Sequence, residues 1–197
     1  MSQSELLRQV TTLLDRNGID YMLTGSVVSS LQGVPRSTHD IDIVISLHEA
    51  DIEKLAEGFS PPRFYLNRQA MRDALAHKSM FNLIDVIEGD KVDFWILTDH
   101  PFDQSRFARK SIDEFMGMRL KVSRPEDTIL AKLQWSVKSG GSEKQLTDAL
   151  HIYEVQRASL DVDYLNQWVE PLGITSLWLR LLDEATIEKK DSGDVTS

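Results

Sequence analysis

A strand that buries apolar side chains on one face and carries two aspartates on the other constrains this chain more than any other feature. Across His39-Asp-Ile-Asp-Ile-Val-Ile45, Ile41, Ile43 and Ile45 alternate with Asp40 and Asp42, which is the period of a strand. Asp is depleted in strands because its short polar side chain competes with the ladder and resists burial. With a rise of about 3.3 Å per residue, the two carboxylates leave the same face about 7 Å apart. Like charges that close repel unless something cationic lies between them. A divalent cation is the usual solution, and hard oxygen donors suit Mg²⁺, with Mn²⁺ as the alternative.

A third carboxylate lies in a second apolar strand pattern, Val92-Asp93-Phe94-Trp95-Ile96-Leu97. Three aspartates on neighbouring strands are what a two-metal phosphoryl-transfer site requires. Upstream, Tyr21-Met-Leu-Thr24 reads as a strand, and Ser26-Val-Val-Ser-Ser-Leu31 as a short helix after it. Gly25 between them allows a ligand to approach the backbone closely. The Ser26 hydroxyl and the helix-start amides would then hold a triphosphate. Thirteen residues separate Ser26 from Asp40.

Gly25-Ser26, Asp40-x-Asp42 and Asp93 together resemble the nucleotidyltransferase superfamily, whose fold is shared with DNA polymerase β. The fuller string Arg36-Ser-Thr-His-Asp-Ile-Asp-Ile43 resembles the AbiEii-type nucleotidyltransferases, several of which are toxins of bacterial toxin–antitoxin systems. The downstream Arg124-Pro-Glu-Asp-Thr-Ile-Leu-Ala-Lys-Leu133 is similar to that group as well. The resemblance covers roughly residues 18 to 155. It implies an α/β (α+β) fold, a mixed sheet flanked by helices, with a C-terminal helical lobe. It also implies transfer of a nucleoside monophosphate from an NTP to an acceptor hydroxyl. Lys132 would bind the triphosphate, Asp148 would take a functional place as in some relatives, and an antitoxin would be a candidate partner.

The residues themselves leave several of these roles open. Arg36 is either a solvated loop residue or a cation that faces phosphate. Lys132 is either an exposed helix lysine or the triphosphate ligand, on a helix whose inward face is Ile129, Leu133 and Val137. Asp148 lies off the Leu146/Leu150 stripe, so a surface acid is its default. Asp93 would, on the plain alternative, be an edge-strand surface acid. His39 alternates to the face opposite Asp40 and reads as structural. Trp135, Trp168 and Trp178 fall in helices and are expected to pack between them.

Charge and composition narrow the partners. A net charge of −9 argues against coating nucleic acid through bulk electrostatics. Residues 101 to 124 are locally positive, with Arg106, Arg109, Lys110, Arg119, Lys121 and Arg124 against Asp103, Asp113 and Glu114. A triphosphate or one arm of an RNA could dock there. There are no cysteines, so neither disulfides nor a thiolate zinc site is possible. No apolar run approaches the roughly 20 residues of a membrane span. The polar Met1-Ser-Gln-Ser-Glu opening reads as the start of an amphipathic helix rather than a signal peptide, so the expected compartment is cytoplasmic.

The hydrophobic pattern predicts helices over 4–16, 47–58, 68–78, 123–138, 142–153, 162–170 and 176–189. The 68–78 helix shows no clear cap, whereas Ser123 and Glu126 suggest a capping box. Strands are predicted over 20–24, 40–46, 81–88, 91–97, 111–116 and 118–123, with 81–97 forming a hairpin around Gly89-Asp90. The expected organisation is a nucleotidyltransferase domain over 1–122, a helical lobe over 123–190 that closes over the nucleotide, and a frayed tail over 191–197. The acceptor is not legible. RNA, in particular the 3′ end of tRNA, follows from the toxin-like resemblance. A small hydroxylated molecule such as an aminoglycoside or lincosamide is the alternative. A non-catalytic nucleotide-binding module and a glycosyltransferase are weaker ones.

Overall fold

The computed structural model describes residues 2–38 and 40–193 of the chain, without the side chains of 187–193. His39 and residues 194–197, hence much of the expected tail, lie outside the described residues. The chain divides into two compact units, Met1–Val28 with Ser37–Ser123, and Ser29–Arg36 with Arg124–Ser197.

The first unit is built on one mixed sheet in the order β3-β4-β5-β2-β1-β7-β6. Its strands are β1 (Tyr21–Thr24), β2 (Asp40–Ile45), β3 (Phe64–Leu66), β4 (Met80–Asp85), β5 (Lys91–Ile96), β6 (Ser111–Phe115) and β7 (Met118–Val122). β2 runs parallel to β5 and β1 to β7, and the other pairs are antiparallel. Because side chains alternate across a strand, register decides which residues share a face. One face carries Tyr21, Leu23, Ile41, Ile43, Ile45, Val92, Phe94, Phe81 and Leu83, all in the main core. α1 (Gln3–Arg16) and α3 (Ile52–Gly58) contribute Leu6, Val10, Leu14, Ile52 and Leu55 to that core, and α4 (Arg68–His77) contributes Met71 and Ala74.

The opposite face is only half apolar. Met22, Val44 and Phe107 pack together there with Trp95 and Leu97. Phe107 belongs to α5 (Pro101–Arg109), a helix absent from the sequence-based expectation although its signals were present. His100 caps it, Pro101 opens it, Asp103 lies in its first turn, and Arg106 and Arg109 in its last. α5 closes the Val44/Trp95 end of this face, and the Asp40/Asp42/Asp93 end carries the acids.

Other boundaries shift for identifiable reasons. The predicted 47–58 helix is a 3₁₀ turn over Glu49–Asp51 followed by α3. There the Asp51 carboxylate accepts from the His48 amide at 3.2 Å and from Lys54 Nζ at 2.8 Å, which holds the turn in place. The helix expected to lack a cap has one, since Asn67 accepts from the Ala70 amide at 2.9 Å and Lys78 ends it in a left-handed conformation. β4 ends at Asp85 rather than Glu88. The Asp85 carboxylate is fully buried, accepts from the Ile87 amide at 3.1 Å and pairs with Arg63 at 2.9 Å, turning the chain. The short β3 beside β4 had no readable signal between Pro62 and Asn67.

The second unit holds α6 (Pro125–Lys138), α7 (Glu143–Gln156), α8 (Val162–Val169), α9 (Thr175–Gly193) and the segment 29–36. That segment includes the last turn of α2 (Gly25–Gln32). The expected Ser123/Glu126 capping box does not form: Arg124 occupies the cap position and Pro125 opens the helix. Glu126 is instead buried and accepts from the Asp161 amide at 2.9 Å, while Asp127 accepts from the Tyr164 hydroxyl at 2.6 Å. α6 therefore buries polar as well as apolar residues, and Glu126 and Asp127 find their partners on the α8 side. Ile129 and Leu133 of the predicted inward face are fully buried. Val137 is 48% exposed and Trp135 46% exposed, against the expectation that both face inward. Trp178 is buried and stacks edge-on against Tyr153. Among the described residues no helix is long and apolar enough to cross a membrane.

Candidate active site

The acids of β2 and β5 meet across a parallel pair of strands. Asp42 and Asp93 are register partners, and so are Asp40 and Lys91. Alternation then places Asp40, Asp42, Lys91, Asp93 and Trp95 on one face. Asp93 is not an edge acid. β5 lies between β4 and β2, and Asp93 is 8% exposed. Asn82 of β4, its register partner on the other side, donates its amide to Asp93 Oδ1. Lys91 Nζ is 2.9 Å from Asp93 Oδ2 and 3.7 Å from Asp40 Oδ1. The hydrogen bond to Asp93 raises the Lys91 pKa above its usual value, against a smaller opposing effect of burial. The indole of Trp95 donates to Asp42 Oδ1 at 3.2 Å.

Gly25 joins the two halves of the motif. It follows Thr24, the register partner of Asp42, and has φ +69°. A Cβ built there would sit 2.6 Å from Asp42 Cγ and overlap its Oδ2. The backbone therefore presses directly on the carboxylate, and only glycine combines that contact with a left-handed conformation. Replacing Gly25 with Ala is expected to displace Asp42 and to reduce any activity that this carboxylate supports by at least ~10-fold, since misplacing a positioned group by about 1 Å costs up to ~10²-fold. Steady-state assays of that activity beside a thermal melt would check this. Unchanged turnover in a folded variant would separate Gly25 from the site.

The donor set suits a hard divalent cation: three carboxylates on one face, two of them on directly paired residues, with an ammonium already offsetting charge between Asp40 and Asp93. As the side chains stand, no three acidic or imidazole groups converge on one point among the described residues. The Lys91 ammonium lies within ion-pair distance of both Asp93 and Asp40.

On the second unit, Arg36, Lys132 and Asp148 form a cluster. Arg36 Nε and Nη2 hold the two Asp148 oxygens at 2.9 and 2.8 Å, and Lys132 Nζ reaches Oδ2 at 2.9 Å. Ser30 of α2 fixes the Arg36 backbone by donating to its carbonyl at 3.1 Å. Lys132 and Asp148 are both buried, so neither the exposed lysine nor the surface acid holds. Burial pushes the Asp148 carboxyl up, but hydrogen bonds from Arg36 and then Lys132 outweigh it and hold it below the usual carboxylate range. The same hydrogen bond raises the Arg36 pKa. Two cations on one carboxylate leave the cluster a net +1.

At least three of the six cations of the stretch over 101–124 pair with acids where it folds. Arg106 pairs with Asp103 at 2.9 Å, Lys110 with Asp20 at 2.9 Å, and Lys121 with Asp15 and Asp20 at 3.1 and 3.3 Å. Asn82, Lys91 and Trp95 were not singled out from the sequence. The signal for two of them was available, since Lys91-x-Asp93-x-Trp95 is a strict two-residue spacing.

No family model matches the chain, and no curated protein matches it. Solved structures do. A crystal structure of ANT(2")-Ia in complex with adenylyl-2"-tobramycin aligns over 91% of this chain and 99% of its own, at 13% identity and a TM-score of 0.56. A solution structure of the antibiotic-resistance factor ANT(2'')-Ia aligns over 97% of each chain, at 12% identity and a TM-score of 0.49. An antigenic nucleotidyltransferase-like protein from Paracoccidioides brasiliensis aligns over 80% of this chain and 77% of its own, at 16% identity and a TM-score of 0.48. The first of these shows that the chain has the nucleotidyltransferase fold, a mixed α/β architecture.

Proposed function

We propose that this protein is an enzyme that transfers a nucleoside monophosphate from an NTP to an acceptor hydroxyl. The observation that carries the reading is the contact between Gly25 and Asp42. It ties a Gly-Ser turn at a helix start to a carboxylate whose register partner is a second carboxylate. A fold shared with nucleotidyltransferases is consistent with it but does not define activity.

In this reading Asp40, Asp42 and Asp93 would hold Mg²⁺, or Mn²⁺ in its place. When bound, the cation would offset charge on the α-phosphate and on the departing pyrophosphate. Asp93, held at Oδ1 by Asn82, lies on the acceptor side and helps deprotonate the attacking hydroxyl, whose proton leaves to solvent. The acceptor oxygen forms a bond to the α-phosphorus as the bond to pyrophosphate breaks. Gly25, the Ser26 hydroxyl and the first amides of α2 seat the phosphates. On the second unit, the resemblance would give Lys132 a triphosphate-binding role, with Arg36 and Asp148 beside it.

Two acceptor classes follow. RNA, including the 3′ end of tRNA, is the acceptor if the resemblance to toxin nucleotidyltransferases extends to substrate, and an antitoxin would then be a partner. A cationic hydroxylated molecule such as an aminoglycoside is the second. It is favoured by the net charge of −9. The molecule in the ANT(2")-Ia complex, adenylyl-2"-tobramycin, is a derivative of that class.

The test incubates each of four α-³²P NTPs with Mg²⁺ and either total bacterial RNA or a panel of aminoglycosides and lincosamides. An Asp40→Ala/Asp42→Ala variant is the control. Label on RNA that the control loses establishes the first acceptor class, and label on a drug the second. Binding of Mg·NTP with no transfer to any acceptor would replace the catalytic reading with a nucleotide-binding module.

A further inference from the structure

We propose that Lys91 is a tethered competitor for the divalent cation, occupying its place at Asp93 until the ion displaces it. The inference rests on the metal-binding reading of Asp40, Asp42 and Asp93 above. Three observations carry it. First, Lys91 is two residues before Asp93 on β5 and directly opposite Asp40 on β2, so both carboxylates lie within its reach by register alone. Second, Asp93 Oδ1 is engaged by Asn82, which leaves Oδ2 as the oxygen to give a metal. Lys91 Nζ is on that oxygen at 2.9 Å. Third, the environments differ. The Asp93 side chain is 11% exposed, whereas those of Lys91 and Asp40 are 36% and 61% exposed. The carboxylate is fixed, while the long lysine stem has solvent to swing into at little cost.

The ammonium thus does two things. Without metal it keeps Asp40 and Asp93 from repelling one another across the strand pair. With metal it must leave, so part of the ion's binding free energy goes into its release. If the competent arrangement is populated about one part in ten, the apparent affinity is reduced roughly 10-fold. A carboxylate face with a built-in counter-ion would therefore fold stably without metal and fill only at a higher metal concentration.

The test is direct metal binding, read by Mn²⁺ electron paramagnetic resonance, on wild type, Lys91→Gln and Lys91→Arg. Lys91→Gln removes the charge and leaves a polar side chain one atom shorter. It is expected to bind Mn²⁺ about 10-fold more tightly, and Lys91→Arg no more tightly than wild type. The metal-free Lys91→Gln protein should melt below wild type and recover the difference when Mn²⁺ is added. Equal or weaker Mn²⁺ binding by Lys91→Gln, with wild type binding normally, would overturn the competitor role and leave the nucleotidyl-transfer reading intact. Failure of all three proteins to bind Mn²⁺ would instead overturn the metal site and the reading built on it.

Discussion

Asp42→Asn is expected to lower nucleotidyl transfer by roughly 10³-fold, as removal of a preorganised electrostatic partner of a transition state does. Its melting temperature should stay within about 2 °C of wild type, as for a substitution that leaves packing intact. The amide has the shape of the carboxylate, and its oxygen still accepts from the Trp95 indole. Gly25 meets the same outline at that position. What disappears is one negative charge beside Asp93 and Asp40, and like charges grouped on one face are a cost to the fold. Activity should therefore collapse without loss of stability, a combination that a purely structural aspartate would not produce. Turnover within tenfold of wild type would remove Asp42 from the site. A melt lowered by 10 °C would assign it a packing role instead.

The parts of the molecule legible from sequence are those where one local rule acts alone. Ile41, Ile43 and Ile45 alternate with Asp40 and Asp42, and the strand forms where alternation puts it, with the isoleucines in the core. Gly89 and Asp90 sit between two strands that pair as a hairpin. Where two rules compete, local reading fails. Ser123 and Glu126 have the spacing of a capping box, yet Glu126 finds a better partner in the Asp161 amide, 35 residues away. Lys132 and Asp148 look like surface charges on their own helices. They are buried because each neutralises the other, and helix periodicity carries no information about a partner 16 residues away. Trp135 is 46% exposed near the C-terminal end of α6, although Ile129 and Leu133 of the same helix are buried. The three acids were readable as a set, whereas Lys91, Asn82 and Trp95 acquire meaning only through the register of β2, β5 and β4.

Asp148→Ala should strongly destabilise the helical unit. It strips the shared partner from Lys132, whose side chain is 6% exposed, and from Arg36, which is 29% exposed. Removing one member of a buried ion pair costs about 3–5 kcal/mol, because the charge left behind is neither solvated nor paired. For a chain of this size 3 kcal/mol corresponds to a fall of roughly 6–12 °C in melting temperature. Arg36 can turn toward solvent, so most of the cost falls on Lys132. The double variant Asp148→Leu/Lys132→Met removes the buried charge as well as its partner and should recover most of the loss. If it is no more stable than Asp148→Ala, packing rather than charge is the cause. The pH dependence has a fixed sign. The Asp148 carboxyl titrates below its unfolded value of about 3.9, so its contribution is complete above that pH and is lost as pH falls through the folded-state value. The gap in melting temperature between wild type and Asp148→Ala is therefore expected to be constant from pH 8 to pH 5 and to narrow below about pH 4. A gap that instead widened with acid would mean that the carboxyl is buried in its neutral form, and that Arg36 and Lys132 do not share its charge.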